Sequence, residues 1–318
     1  MVKIGYFLSS EEFGPHAHVE QAKMAEEAGF EALWISDHYH PWVGEQGQSP
    51  FVWSVIGALS QVTSLPVTTA VTCPTMRIHP AVLAQAVATS AVMLEGRFNF
   101  GIGTGENLNE HILGDRWPPT DVRLEMMEEA VEVMRLLWEG GGTKSHYGKH
   151  YTVENARIYT IPDEPPPVLV SGFGPKAARL AGKIGDGYVH VAPDAEMLNL
   201  FRESGGGDKV AHAGTKVCYG EDEAECRRLA HQTWPNESLP GQLAQELPTV
   251  AHFEQATSIV TEDMVAQGVV CGPDPEQHKQ NIQEYVDAGY DEVYVQQIGP
   301  NQKAFFDFYQ REILPEFR

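Results

Sequence analysis

Basic residues are scarce in this chain of 318 residues. It has 22 Lys and Arg against 44 Asp and Glu, a formal charge of −22. Such a balance repels nucleic-acid backbones and anionic bilayers, so neither is expected as a partner. Cysteine is scarce as well. Cys73, Cys218, Cys226 and Cys271 are widely spaced and form no C-x-x-C. This excludes a zinc knuckle and fits reduced thiols in a cytoplasmic protein better than a disulfide framework. No apolar run approaches the roughly 18 residues of a bilayer-spanning helix. The opening MVKIGYFLSS, followed by Glu11-Glu12, reads as a first strand and not as a signal peptide. The first strand is not followed by G-x-G-x-x-G, and neither G-x-S-x-G nor H-E-x-x-H occurs. These absences argue against a doubly wound nucleotide crevice, a serine-hydrolase elbow and a zinc protease, and no metal is expected. What is present is 42% apolar against 21% charged residues, enough for a large core and too apolar for disorder.

The chain alternates strand, turn and helix. Strands are expected at 4–8, 32–36, 66–72, 97–102, 168–170, 187–191, 216–219 and 292–296. Helices are expected at 17–28, 51–63, 80–94, 121–139, 176–183, 195–203, 222–232, 275–288 and 302–313. The clearest is 121–139, where Leu124, Met127, Ala130, Val131, Met134, Leu137 and Trp138 form one stripe. Strands alternating with helices of this length imply right-handed crossovers and a parallel sheet. Eight units imply a closed (β/α)8 barrel, an α/β fold in which residues 1–318 form one domain. Residues 142–160 break the rhythm as an inserted hairpin. Residues 233–262, with Trp234-Pro235, Pro240-Gly241 and Pro248, are the least periodic and read as a lid or an excursion.

In such a barrel, chemistry gathers on the loops after the strands. These loops supply Ser9 and Glu11, then Asp37, His38, His40 and Trp42, then Thr72 and Cys73. The fourth and fifth give Gly103, Gly105, Glu106, Asn109, Gly172 and Gly174. His38 has the residue type of a base working near neutrality, or is a structural histidine at a loop start. Asp37 either sets the imidazole tautomer or holds backbone, and His40 reads as a supporting or surface residue. Glu106, in a glycine loop, is either a proton-carrying acid or a carboxylate near a helix start. Asn109 binds ligand or backbone. Trp42 stacks on a ring or plugs the mouth. Cys73 is a nucleophile or a small lining residue. The SGFGPKAA turn, with Pro175 at a helix start and Lys176 beside it, suits a phosphate or is an ordinary turn.

The segments SDHYHPW, VTCPTMRIHPAVLAQ, FGIGTGENLNE and SGFGPKAARLAGKIGDG together resemble the luciferase-like superfamily. More narrowly, they resemble its branch of F420-dependent glucose-6-phosphate and secondary alcohol dehydrogenases. The resemblance spans nearly the whole chain. It implies a barrel with coenzyme F420 at its C-terminal mouth, usually in a homodimer, and hydride transfer between an alcohol and its carbonyl form. It implies His38 as base, Glu106 as acid near the cofactor, Trp42 over the reacting centre and Glu11 beside it. It places Asp37, Cys73 and Asn109 at the cofactor, with a cis peptide at Ala70-Val71 beneath its ring. The phosphate falls at Gly172, Gly174 and Pro175. The phosphate-binding cations of the glucose-6-phosphate enzymes fall at Asp194, Gln255 and Gln267, which leaves no cationic set. An uncharged alcohol, ketone or sugar is therefore expected over glucose 6-phosphate. The alternatives are an FMN-dependent monooxygenase of the same superfamily and a non-catalytic F420-binding protein.

Overall fold

The structure is a computed structural model describing residues 2–318. Eight parallel strands close on themselves: β1 (Lys3–Leu8), β2 (Leu33–Ile35), β3 (Val67–Thr69), β4 (Phe98–Ile102), then β5 (Lys144–Tyr147) and β6 (Thr152–Ala156) outside the barrel. The barrel continues with β7 (Val168–Ser171), β8 (Gly187–His190), β9 (Ala211–Cys218), a short β10 (Val270–Cys271) and β11 (Glu292–Gln297). The closed order is β1-β2-β3-β4-β7-β8-β9-β11, with β11 returning to β1. This is the (β/α)8 barrel that the alternation of the sequence implies. β10 adds to β9 alone, and β5 and β6 form an antiparallel hairpin.

Two packing layers follow from the pleat. Leu8, Leu33, Ile35, Phe98 and Ile102 join a cluster with helix residues such as Ala22, Val55 and Leu83. Phe7, Trp34, Leu169, Val189 and Tyr294 form a separate cluster. There Trp34 and Tyr294 stack with centroids 4.4 Å apart. Their bulk is accommodated by Gly5, whose Cβ would run into the Tyr294 ring, and by Gly214, whose Cβ would lie 2.5 Å from Trp34.

Two strands differ from expectation by three residues or more, and β3 ends at Thr69, not at residue 72. β9 begins at Ala211, not at residue 216. Ala-His-Ala-Gly has weak intrinsic strand preference, and pairing to β8 and β11 on either side overrides it. The stretch 233–262 consists of a short turn of helix at Pro235–Ser238 and the helices Leu243–Glu246 and Val250–Thr257. Thr249 caps the last through its side chain, accepting from the His252 N–H. Phe253, Leu239 and Leu247 pack here against Trp42, Val43 and Leu108.

The helix Pro15–Ala28 buries His18 completely, with no hydrogen-bond partner for either ring nitrogen among the described residues. Burial pushes its pKa down from 6.5 to about 4. The unfolded chain therefore binds the proton more readily, and stability is lost as pH falls through the window from 6.5 to 4. We expect His18→Leu to remove this penalty. Relative to wild type, the variant should gain about 2 kcal/mol more at pH 5 than at pH 8. Urea titrations at the two pH values measure this, and an equal difference at both would refute it.

Candidate functional site

The C-terminal ends of β1, β2, β3 and β4 bring four polar segments together. Glu11 follows β1, is almost fully buried, and turns one carboxylate oxygen to two hydroxyls. Ser9 Oγ donates to Oε2 at 3.0 Å and Ser36 Oγ at 2.7 Å. The other oxygen, Oε1, lies 3.5 Å from His38 Nε2. Burial acts to raise the Glu11 pKa. The charge of a protonated His38 ring, which a neutral ring does not supply, acts with the Ser36 hydroxyl, its own N–H and the Lys216 charge to outweigh burial and hold it below the ordinary value.

His38 follows β2, buried beneath Trp42, with ring centroids 4.9 Å apart in an edge arrangement. Its Nδ1 faces Asn109 Nδ2 at 3.1 Å. Asn109 is fully buried, and its Oδ1 accepts from the N–H groups of Tyr39 at 2.9 Å and His40 at 3.0 Å. Its Nδ2 also donates to Glu106 Oε2 at 3.3 Å. The structure thus brings Glu11, His38, Asn109 and Glu106 into one line, with Trp42 above. His40 stands outside it, with Nδ1 at 2.9 Å from the Leu108 carbonyl.

Asp37 does not touch this line. Its buried carboxylate accepts from Thr72 Oγ1 at 2.8 Å and Arg77 Nη2 at 2.9 Å. Arg77 was not singled out in the sequence, nor was its second partner Glu110. Glu110 accepts from the Arg77 N–H at 2.9 Å, and its Oε1 lies 3.6 Å from Arg77 Nε. Burial raises the Glu110 carboxyl to about 7 even though Arg77 opposes the shift. The 33-residue and 40-residue separations explain why no local pattern announces this triad. Cys73 is buried with Sγ 3.1 Å from Thr75 Oγ1. Burial pushes its thiol well above the ordinary value, which makes it a poor nucleophile.

Ala70 and Val71 are joined by a cis peptide and are only half-buried at the end of β3. Gly103 packs against Val71, and Gly105 packs against Cys73 and Glu110. A Cβ on Gly103 would lie 2.7 Å from Val71, and one on Gly105 would lie 2.6 Å from Cys73 Sγ and 2.9 Å from Glu110 Cγ. Gly105 also has φ +76°, which an L side chain rarely adopts. Gly172 and Gly174 form the turn after β7, and Pro175 opens the helix Pro175–Ile184, whose first N–H groups lack helical acceptors. Lys176 does not stand over this turn and pairs with Asp121 at 2.7 Å on the surface. Phe173 and Val191 are exposed at the same end.

A cavity of about 510 Å³ opens at the ends of β8 and β9, lined in part by Val191, Lys216, Glu237, Gln267, Glu284 and Tyr285. Lys216 is its single lining cation among the described residues. It pairs with Glu237 at 3.0 Å and lies 4.5 Å from the centre of the Trp234 ring.

The profile of the luciferase-like monooxygenase family matches residues 2–292. An F420-dependent glucose-6-phosphate dehydrogenase of Microbacterium testaceum (strain StLB037) is 32% identical, over 100% of this chain and 98% of the relative. The enzyme of the same name from Amycolatopsis mediterranei (strain U-32) is 30% identical, over 100% and 99%. Among solved structures, an F420-dependent secondary alcohol dehydrogenase in complex with an F420-acetone adduct superposes with a TM-score of 0.92. It is 31% identical and is covered over 100% and 99% of the two chains. A coenzyme F420 dependent tetrahydromethanopterin reductase from Methanopyrus kandleri, 22% identical with a TM-score of 0.81 over 100% and 99%, shares the fold.

Proposed function

The chain belongs to the luciferase-like monooxygenase family, and from that premise we propose that it is a coenzyme F420-dependent oxidoreductase. It moves a hydride between an alcohol, or an uncharged sugar, and the carbonyl form. The observation that carries this reading is the Glu11–His38–Asn109–Glu106 line, buried except at the half-buried Glu106, with the half-buried apolar pair Ala70-Val71 at the end of β3, between the strands that lead to His38 and Glu106. It is supported by the likeness to F420-dependent enzymes over the whole chain.

The residues fit a deazaflavin. The Ala70-Val71 pair is half-buried and apolar, and Gly103 leaves no side chain to intrude on Val71. Phe173 and Val191 offer apolar surface at the rim. The turn Gly172–Pro175 presents helix N–H groups to a phosphate. Ala70, Val71, Cys73, Glu106 and Asn109 would line the ring, while Asp37 acts through Thr72 and Arg77. When bound, F420 supplies the hydride acceptor or donor. The chain contributes Trp42 above His38 to keep water out, and Glu106 with Asn109 as a polar edge where charge develops. A homodimer in the cytoplasm belongs to the same reading.

The substrate argument rests on charge. In the cavity beside β9, Lys216 is already paired with Glu237, and Glu284 adds a second carboxylate. Asp194 is engaged in capping a helix, accepting from the Met197 N–H. A sugar phosphate would find no unpaired cation in that lining. This supports an uncharged substrate, although the curated relatives carry the glucose 6-phosphate name.

Titration with oxidised F420, then a panel of secondary alcohols and glucose 6-phosphate, tests the reading. The expected outcome is saturable F420 binding and loss of its absorbance with a neutral alcohol. Reduction of F420 by glucose 6-phosphate would overturn the substrate argument. Bound FMN with oxygen uptake would indicate a monooxygenase, and F420 binding without any turnover a non-catalytic binder.

A further inference from the structure

We propose that Glu11, and not His38, accepts the hydroxyl proton, and that His38 serves as a neutral N–H donor to the substrate oxygen. This rests on the oxidoreductase reading above and deepens it.

The argument starts from Asn109. Its two amide atoms look alike in shape, but their partners tell them apart. Oδ1 is fixed by two backbone donors, Tyr39 N–H at 2.9 Å and His40 N–H at 3.0 Å. Nδ2 is therefore the atom that faces His38 Nδ1 at 3.1 Å and Glu106 Oε2 at 3.3 Å. An amide nitrogen can only donate. Nδ1 of His38 must then be the acceptor, with its lone pair toward Asn109. A neutral imidazole that accepts at Nδ1 carries its hydrogen on Nε2. An imidazolium would set N–H against N–H at a site where Asn109 is fully buried and cannot turn without abandoning two backbone donors.

Nε2 is the ring nitrogen nearest Glu11, whose Oε1 lies 3.5 Å away. That separation is longer than a direct hydrogen bond, and a substrate oxygen in contact with both groups would bridge them. Ser9 and Ser36 occupy Oε2, so Oε1 is the carboxylate oxygen left to accept. A bound alcohol would receive the hydrogen bond of His38 and give its own proton to Glu11. In oxidation, the carbinol C–H bond breaks and its electron pair leaves as hydride to the bound deazaflavin. The O–H bond breaks, its electron pair becomes the second carbon–oxygen bond, and the proton ends on Glu11 Oε1. Reduction of a carbonyl runs the same transfers backward from a protonated Glu11.

The first test needs neither cofactor nor turnover. In protein labelled with 15N-histidine, two-bond 1H–15N correlation reports the tautomer of each ring, and His38→Gln assigns the signal. At pH 7 we expect His38 neutral with hydrogen on Nε2. A hydrogen on Nδ1, or an imidazolium, overturns the proposal. The second test compares variants. Glu11→Gln should lower kcat for alcohol oxidation about a thousandfold while F420 affinity stays within about threefold. His38→Gln, which keeps an amide donor there, should lose much less, on the order of tenfold. The reverse ranking returns the base role to His38. If the wild-type protein binds no F420 and oxidises no alcohol, the oxidoreductase reading fails, whereas the tautomer still decides whether His38 has a lone pair to offer.

Discussion

Arg77→Met should destabilise the protein by roughly 3–5 kcal/mol at pH 8, the cost of removing one partner from a buried ion cluster. Arg77 holds Asp37 at 2.9 Å through Nη2 and Glu110 through its backbone N–H and the nearby guanidinium. All three side chains are buried, with no more than 6% of their surface exposed. Methionine keeps the length and packing but leaves two carboxylates facing each other without a cation. Each would hold its proton more tightly in the native state than in the unfolded chain. The native state then binds more protons, so the variant's stability should fall as pH rises through the range between the unfolded and folded values. Glu110 is already raised to about 7 with Arg77 present, which places the deficit chiefly above neutrality. Urea unfolding at pH 5.5 and pH 8 should show a smaller loss at the lower pH. A loss under 1 kcal/mol at pH 8, or one independent of pH, would mean that water or neighbouring donors replace the guanidinium.

Asn109→Leu is expected to lower turnover by about tenfold and stability by roughly 2–5 kcal/mol. The stability term follows from the Tyr39 and His40 N–H groups, which lose their shared acceptor, at about 1–3 kcal/mol for each orphaned group. The kinetic term follows from the His38 ring, which loses the partner that fixes its orientation. Asn109→Asp separates the two effects. It restores an acceptor for both backbone donors and so should recover most of the stability. It presents oxygens to His38 and to Glu106, so turnover should stay low and the ring should gain a proton. Wild-type turnover in Asn109→Leu, measured on protein shown to be folded, would remove Asn109 from the site's working parts.

The sequence shows the barrel because each of its units carries its own signals. The helix Pro275–Ala288 has Asp274 as its cap and Gly289 at its end in the left-handed region. The start of β9 is hidden because Ala211–Gly214 owe their extended form to neighbours on both sides. The same divide runs through the site. His38, Glu106 and Asn109 stand at strand ends and are visible as polar residues there. Their relations are not visible. Asp37 precedes His38 in the chain but turns to Thr72 and Arg77. The histidine's partners are Glu11 and Asn109, the latter 71 residues away. Residue types are local information, whereas hydrogen-bond partners are decided by the closure of the barrel.

That closure also has an order in time. β1 takes its second neighbour from β11, with Lys3 set against Glu292 in register and paired to it at 3.0 Å. During synthesis, β1 emerges long before β11, its closing partner. Until β11 has left the ribosome, one edge of β1 lacks the strand that will cover it. The nascent chain must therefore carry an open sheet until the last barrel strand appears, and this is the interval in which edge-to-edge association with another copy competes with completion of the ring.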